Sequence, residues 1–322
     1  MPKLIPAVVA ALALAAALAV CGPGATPASP AAPAASLDIL LTNDDGWRGP
    51  GGADTPLIVA LRDALVAAGH RVVVVAPATD QSGQGGRLTA PPLTLEVASP
   101  EQGVYTVAPG SPVDSTYFGL DEVFAGGAPD VVVSGLNPGQ NLTSGVNHSG
   151  TVNAALAALE YQVPSIAVSV EARPDWRAGT ARAAPAAAAY TVDLVAALDD
   201  GRPLGAGLLP PGVALNVNYP VVPGPVDPAT GQPGSVLAPR GTRATTLGVG
   251  LTDNFDYRPL TGGPGAPGTY AVDFGALAPT PTPGSDVAAL AGGYVSVTPL
   301  ERDRDVDPAT DRWLQRFLRT LG

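Results

Sequence analysis

The feature that most narrows what this chain can fold into is an alternation of short aliphatic runs with helical stretches, starting at Leu37. Residues 37–42, 71–76 with its four successive valines, 105–107, 130–134, 165–170 and 213–218 each read as strands. Between them, residues 55–68 carry Leu57, Leu61 and Leu65 on one helical face with Gly69 to end it, and 112–123, 151–160 and 180–198 read as helices. Strands apolar on both faces and separated by helices imply a mainly parallel sheet covered on both sides. The expected fold is a doubly wound α/β domain over residues 37–322. Residues 220–292 turn Pro/Gly/Thr-rich with weak alternation, as at 270–274, and read as long loops and β-hairpins able to carry oligomer contacts. A strand over 293–300 and an amphipathic helix over 311–321, with Trp313, Phe317 and Leu321, close the chain.

The first 36 residues stand apart. Lys3 precedes an Ala/Leu/Val run from Ile5 to Val20, shorter than the roughly 20 apolar residues of a membrane span but suited to the core of a secretory signal. The run ends at Leu18-Ala19-Val20-Cys21, which resembles a bacterial lipoprotein box and implies a lipidated Cys21; an ordinary signal peptide cut nearby is the alternative. Residues 22–36 are Gly/Pro/Ala/Ser apart from Thr26, the composition of a tether. The expectation is an exported protein, lipid-anchored to the outer face of a bacterial membrane, or periplasmic or secreted.

Composition removes several chemistries. The single cysteine excludes a disulfide framework or a Cys-ligated zinc or iron–sulfur site within this chain, and two histidines leave little for a His-rich metal centre. Lys3 is the only lysine, so the folded part offers neither a Schiff-base nor a Walker A lysine. A net charge of −11 with 14% charged residues does not suit binding to nucleic-acid polymers. Carboxylates, amides, hydroxyls, arginines and backbone must do the work.

In open α/β sheets ligands bind beyond the carboxyl ends of the strands. The first strand ends in Thr42-Asn43-Asp44-Asp45-Gly46. Adjacent carboxylates repel unless a cation or a proton intervenes, so the pair can aim at one cation; a solvated Asx-type turn is the alternative. The second runs into Asp80-Gln81-Ser82-Gly83-Gln84-Gly85-Gly86, whose hydroxyl and N–H groups can approach an anion or metal, or form a flexible surface loop. The strand at 130–134 leads to Gly135-Leu136-Asn137-Pro138-Gly139-Gln140-Asn141, two asparagines around a Pro-Gly turn with neutral oxygens for a hard cation. Ser149-Gly150-Thr151 opens the next helix, as ordinary caps or as an anion site built from free N–H groups and the helix dipole. All these segments fall at one edge of the sheet.

Several blocks resemble the SurE family in order: Ile39-Leu40-Leu41-Thr42-Asn43-Asp44-Asp45-Gly46, Val75-Ala76-Pro77 with Gln81-Ser82-Gly83, and Gly110-Ser111-Pro112-Val113-Asp114-Ser115. Residues 129–141, 149–155, Leu215-Asn216-Val217-Asn218 and 293–300 continue the series. The resemblance implies a metal-dependent phosphatase of nucleoside monophosphates, a 5′/3′-nucleotidase, on a Rossmann-like sheet whose hairpins build homodimers or homotetramers. On this resemblance Mg²⁺ or Mn²⁺ is held by Asp44, Asp45, Ser82 and Asn137, while Asn43, Asn141, Ser149, Gly150 and Thr151 hold or orient the phosphate. Asp44 and Asp45 are also the catalytic candidates, as nucleophile, base or ligand. His148 stands where the family often has an aromatic residue, and reads as packing and capping or as a general acid. His70 reads as an exposed helix-end residue, and Arg87 as a surface residue or a neutraliser of phosphate charge.

Other classes fit less well. A non-catalytic exported nucleotide- or metal-binding lipoprotein is the alternative. A serine hydrolase lacks its Gly-x-Ser-x-Gly elbow. A dinucleotide oxidoreductase lacks Gly-x-Gly-x-x-Gly between strand and helix.

Overall fold

The computed structural model describes residues 36–47, 57–91, 94–173, 178–203, 205–250, 254–275 and 280–301. The segments read as leader and tether, apart from Ser36, and the helix expected over 311–321 lie outside the described residues.

The chain forms β1 (Asp38–Thr42), β2 (Arg71–Pro77), β3 (Glu96–Glu101), β4 (Val104–Ala108), β5 (Val131–Asn137), β6 (Ser165–Val170) and β7 (Val213–Tyr219). Two small antiparallel ladders follow, β8 (Val222–Pro223) with β11 (Val236–Leu237) and β9 (Val226–Asp227) with β10 (Gln232–Pro233). Then come β12 (Thr242–Ala244), the antiparallel hairpin β13 (Asn254–Pro259) and β14 (Tyr270–Gly275), and β15 (Val295–Glu301). The helices are α1 (Leu57–Ala67), α2 (Pro112–Phe118), α3 (Gly150–Ala158), α4 (Ala178–Gly201) and α5 (Asp286–Ala291).

Nine strands make one sheet in the order β12-β15-β7-β6-β5-β1-β2-β4-β3. From β7 across to β4 the pairings are all parallel; β15 on β7 and β3 on β4 are antiparallel. Successive side chains of a strand point to opposite faces, and here both faces are covered. Ile39 and Leu41 join Val74 and Val133 in a core with Ile58, Leu61 and Leu65 of α1 and Ala187 of α4. Leu40 joins Val75 and Val132 in a second core with Leu120, Phe124 and Ala158. This double burial is why the strands read as unbroken aliphatic runs.

The differences from expectation sit at the sheet's margin. Edge strand β3 was absent from the sequence reading, because Glu96-Val97-Ala98-Ser99-Pro100-Glu101 is almost wholly exposed and shows no apolar run. The stretch read as loops and hairpins over 220–292 does hold hairpins, but also α5 and β12, which pairs in parallel with β15. The helix expected over 112–123 is α2 followed by a wider, π-helical turn at Gly119–Val123. His70 is buried rather than exposed: its Nδ1 accepts the Leu37 N–H at 3.3 Å, and desolvation lowers its pKa.

Candidate active site

The carboxyl end of β1 delivers Asn43, Asp44, Asp45 and Gly46 in one tight turn. Asn43 closes it: its Nδ2 donates to the Gly46 carbonyl at 2.9 Å, and its Oδ1 accepts the Gly46 N–H at 3.1 Å. The side chain expected to face phosphate is therefore fully buried and engaged in holding the two aspartates. Gly46 adopts φ +85°, and a Cβ there would sit 3.1 Å from the Pro77 carbonyl oxygen, so glycine suits both the dihedral and the approach to β2.

Asp44 is buried. Its Oδ1 accepts the Thr151 hydroxyl at 2.6 Å, and its backbone carbonyl accepts the Gln81 N–H at 2.7 Å. A Cβ on Gly150 would lie 2.7 Å from Asp44 Cβ and 2.9 Å from its Oδ2. The start of α3 is thus pressed against the carboxylate, and only a residue without a side chain fits between them. Desolvation raises the Asp44 pKa; hydrogen bonds from the side chain and backbone of Thr151 oppose that rise. Helix N-terminal donors read as phosphate binders in the sequence are, at Thr151, turned onto Asp44. Ser149 caps the helix, its Oγ accepting the Val152 N–H at 3.0 Å.

Asp45 is pushed up to about 8, first by desolvation, then by the charges of Asp44 and Asp80. Its Oδ2 is buried with no hydrogen-bond partner among the described residues. Leaving such an atom unpaired costs free energy, and neighbouring carboxylates oppose its ionisation. A positive ion relieves both. Asp80, two residues before the loop serine, carries no sequence signature of its role; it accepts both the N–H of Ser82 at 2.8 Å and its hydroxyl at 2.7 Å. Ser82 is exposed at the rim.

The serine loop meets the start of α3. The Gly85 N–H donates to the His148 carbonyl at 3.1 Å, and the His148 side chain is exposed. Asp114 holds the loop's exit: its Oδ1 accepts the Thr89 N–H at 3.0 Å, its Oδ2 the Ser111 N–H at 2.8 Å, and Ser111 Oγ donates to the Arg87 carbonyl at 2.5 Å. The sequence signal for this clamp was the Ser-x-x-Asp spacing of a capping box at α2.

Asn137 is the last residue of β5, the strand beside β1, and Asn141 lies beyond it. Asn137 Nδ2 donates to the Gly139 carbonyl at 2.5 Å. Asn141 is held from β6 and β7: its Nδ2 donates to Ser169 Oγ at 2.8 Å, its N–H to Asn218 Oδ1 at 2.7 Å, and its carbonyl accepts Asn216 Nδ2 at 2.8 Å. The structure thus knits Asp44, the serine loop and the start of α3 directly. The asparagine turn is fixed separately, on the neighbouring strands.

Among the described residues no set of three Asp, Glu, His or Cys side chains closes on a common point. The donors at hand are two carboxylates, a hydroxyl and an amide oxygen. An all-oxygen set with one orphaned, buried carboxylate atom fits a hard divalent cation such as Mg²⁺ or Mn²⁺ and not a soft metal.

A mainly parallel sheet with paired carboxylates at the end of a central strand defines an α/β protein with its site beyond the carboxyl ends of the strands. The family description Survival protein SurE matches residues 39–245, and the chain belongs to the SurE family. It is 36% identical over 272 residues to the 5′-nucleotidase SurE of Nitratidesulfovibrio vulgaris strain Miyazaki F, covering 82% of this chain and 87% of that one. It is 34% identical over 293 residues to the 5′/3′-nucleotidase SurE of Edwardsiella ictaluri, covering 87% and 97%. The crystal structure of the SurE protein from Aquifex aeolicus superimposes with a TM-score of 0.65 at 29% identity, over 86% of this chain and 99% of that one.

Proposed function

We propose that this protein is a divalent-metal-dependent phosphomonoesterase that hydrolyses nucleoside monophosphates at the 5′ position, and at the 3′ position as well. Family membership and the names of its relatives support the reaction class. The observation that carries the metal dependence is the buried, partnerless Oδ2 of Asp45 beside a second buried carboxylate. Asp44, Asp45, Ser82 and Asn137 would hold the cation. When bound, such an ion supplies charge that neutralises phosphoryl oxygens and makes water acidic enough to attack at neutral pH.

The chain's own residues prepare that chemistry. Thr151 locks the Asp44 carboxylate in one orientation, which keeps it aligned without reorganisation during the reaction. Gly150, having no side chain, lets the start of α3 lie directly against that carboxylate. Burial and the neighbouring carboxylates favour the protonated form of Asp45, and a cation held there would release that proton. Asn216 and Asn218 hold the backbone of Asn141, so the amide proposed to orient the phosphate sits on a fixed turn.

Hydrolysis of p-nitrophenyl phosphate and of nucleoside monophosphates in Mn²⁺, with and without EDTA, tests the reading. Turnover suppressed by EDTA and abolished in Asp45→Asn, with an unchanged far-UV circular dichroism spectrum, supports it. Full activity in that variant overturns the assignment. Saturable binding without turnover would instead mark a binding protein.

The same reading puts the enzyme outside the cytoplasm, carried by a leader that is cut before Cys21 and tethered through that cysteine, and assembled as a homodimer or homotetramer. The β13–β14 hairpin, with Tyr257 and Val272 exposed as a cross-strand pair, supports the assembly. Mass spectrometry of the mature N-terminus and light scattering check these two points: an unlipidated Cys21 removes the anchor, and a monomer at micromolar concentration removes the assembly.

A further inference from the structure

Outside the strand-end cluster, Asp286 is a fully buried carboxylate at the first position of α5. Among the described residues, its three hydrogen-bond partners are backbone N–H groups. Oδ1 accepts those of Gly248 and Val287, each at 2.8 Å, and Oδ2 accepts that of Thr143, also at 2.8 Å. Thr143 lies 143 residues earlier in the chain, and only two residues past Asn141.

The segment so gripped does not hold its shape unaided. Thr143 has φ +48°, a left-handed conformation that β-branched residues avoid and that persists only when its surroundings enforce it. Several contacts do so. The hydroxyls of Thr143 and Ser144 donate to the Gly250 carbonyl at 3.1 and 3.0 Å. Leu142 packs with Val287 and Leu290 of α5. Gly248 passes so close that a Cβ there would come within 2.9 Å of Thr143 Cγ2 and 3.1 Å of Asp286 Oδ1. The asparagine turn is therefore held at two points: Asn216 and Asn218 of β7 fix Asn141, and Asp286 fixes Thr143.

We infer that Asp286 is a positioning residue of the catalytic site, acting through the Thr143 N–H to set Asn141 against the bound phosphate. The inference rests on the phosphatase reading above for the identity of the ligand. It assigns to the C-terminal segment a share in shaping the substrate side of the site, separate from the Asp44–Asp45 side.

The two oxygens allow a selective test. In Asp286→Asn the amide oxygen can keep the two N–H donors of Gly248 and Val287, while Nδ2 meets the Thr143 N–H as donor against donor. The link to the site loop breaks and the anchoring of α5 remains. Calorimetry of inorganic phosphate binding to the Mn²⁺-loaded protein, with steady-state kinetics on p-nitrophenyl phosphate, should show Kd and KM raised about fivefold or more, with the Mn²⁺ Kd within about twofold of wild type. Asp286→Ala should do the same and lower Tm further. Thr245→Val removes a buried hydroxyl bonded to Ser296 and Thr298; it should lower Tm and leave KM alone. A folded Asp286→Asn protein with wild-type phosphate Kd and KM overturns the inference. A wild-type protein that binds phosphate but never turns over, with Kd still raised in Asp286→Asn, sinks the phosphatase reading and sustains the positioning role.

Discussion

The hydroxyl of Thr151 donates a 2.6 Å hydrogen bond to the buried carboxylate of Asp44, across 107 residues of sequence. The end of β1 and the first turn of α3 meet in that bond, and it lowers the proton affinity of a carboxylate that burial otherwise raises. Thr151→Val keeps the shape and removes the donor. Hydrogen bonds to charged groups are worth about 1.5–3 kcal/mol, so kcat/KM should fall by about tenfold or more, and Thr151→Ser should restore most of it. Equal kinetics in Val and wild type would deny the bond any part in the reaction.

Gly150 offers a steric probe of the same junction. A methyl group there would enter at 2.7 Å from Asp44 Cβ and 2.9 Å from Pro112 Cγ, with backbone and carboxylate both forced to yield. Overpacking of this kind costs about 1–3 kcal/mol, and displacement of a catalytic group by about 1 Å can cost about 100-fold in rate. Gly150→Ala should therefore lose about 100-fold in kcat/KM while melting only a few degrees lower, as read by kinetics and differential scanning fluorimetry.

The metal-free protein should show an inverted pH response. Asp45 titrates at about 8 in the fold against an ordinary 3.8, so the fold favours its protonated form. The stability it contributes is complete below about pH 4 and is lost as pH rises through about 8. In EDTA, Tm should fall between about pH 5 and pH 9, and Asp45→Asn should flatten the slope. Mn²⁺ should raise Tm most at the alkaline end and release protons on binding near pH 7. A Tm that climbs with pH in EDTA would contradict the burial and crowding assigned to Asp45.

Much of this was legible in the sequence because the central strands are buried on both faces: Leu40 and Leu41 serve two different cores, and an unbroken aliphatic run records that. Asp44 and Asp45 were readable because a strand end followed by Gly46 leaves few places for them to point. The rest depended on distant pairings with no local signature. Strand β3 is a polar edge, and α5 is a single short stretch among Pro and Gly. Asp80, Asp114 and Asp286 look like ordinary solvated acids until the fold shows their acceptors filled by Ser82, Thr89 and Thr143. Nor could sequence show that Asn43 turns inward to close its own loop, or that Thr151 faces Asp44.

The most direct measurement is a crystal of the folded part grown in Mn²⁺ and recorded at the manganese absorption edge. The account predicts an anomalous peak within about 2.0–2.6 Å of oxygen atoms from both Asp44 and Asp45, absent in crystals of Asp45→Asn. An anomalous map with no peak there, or a peak that survives in the Asn variant, would contradict it.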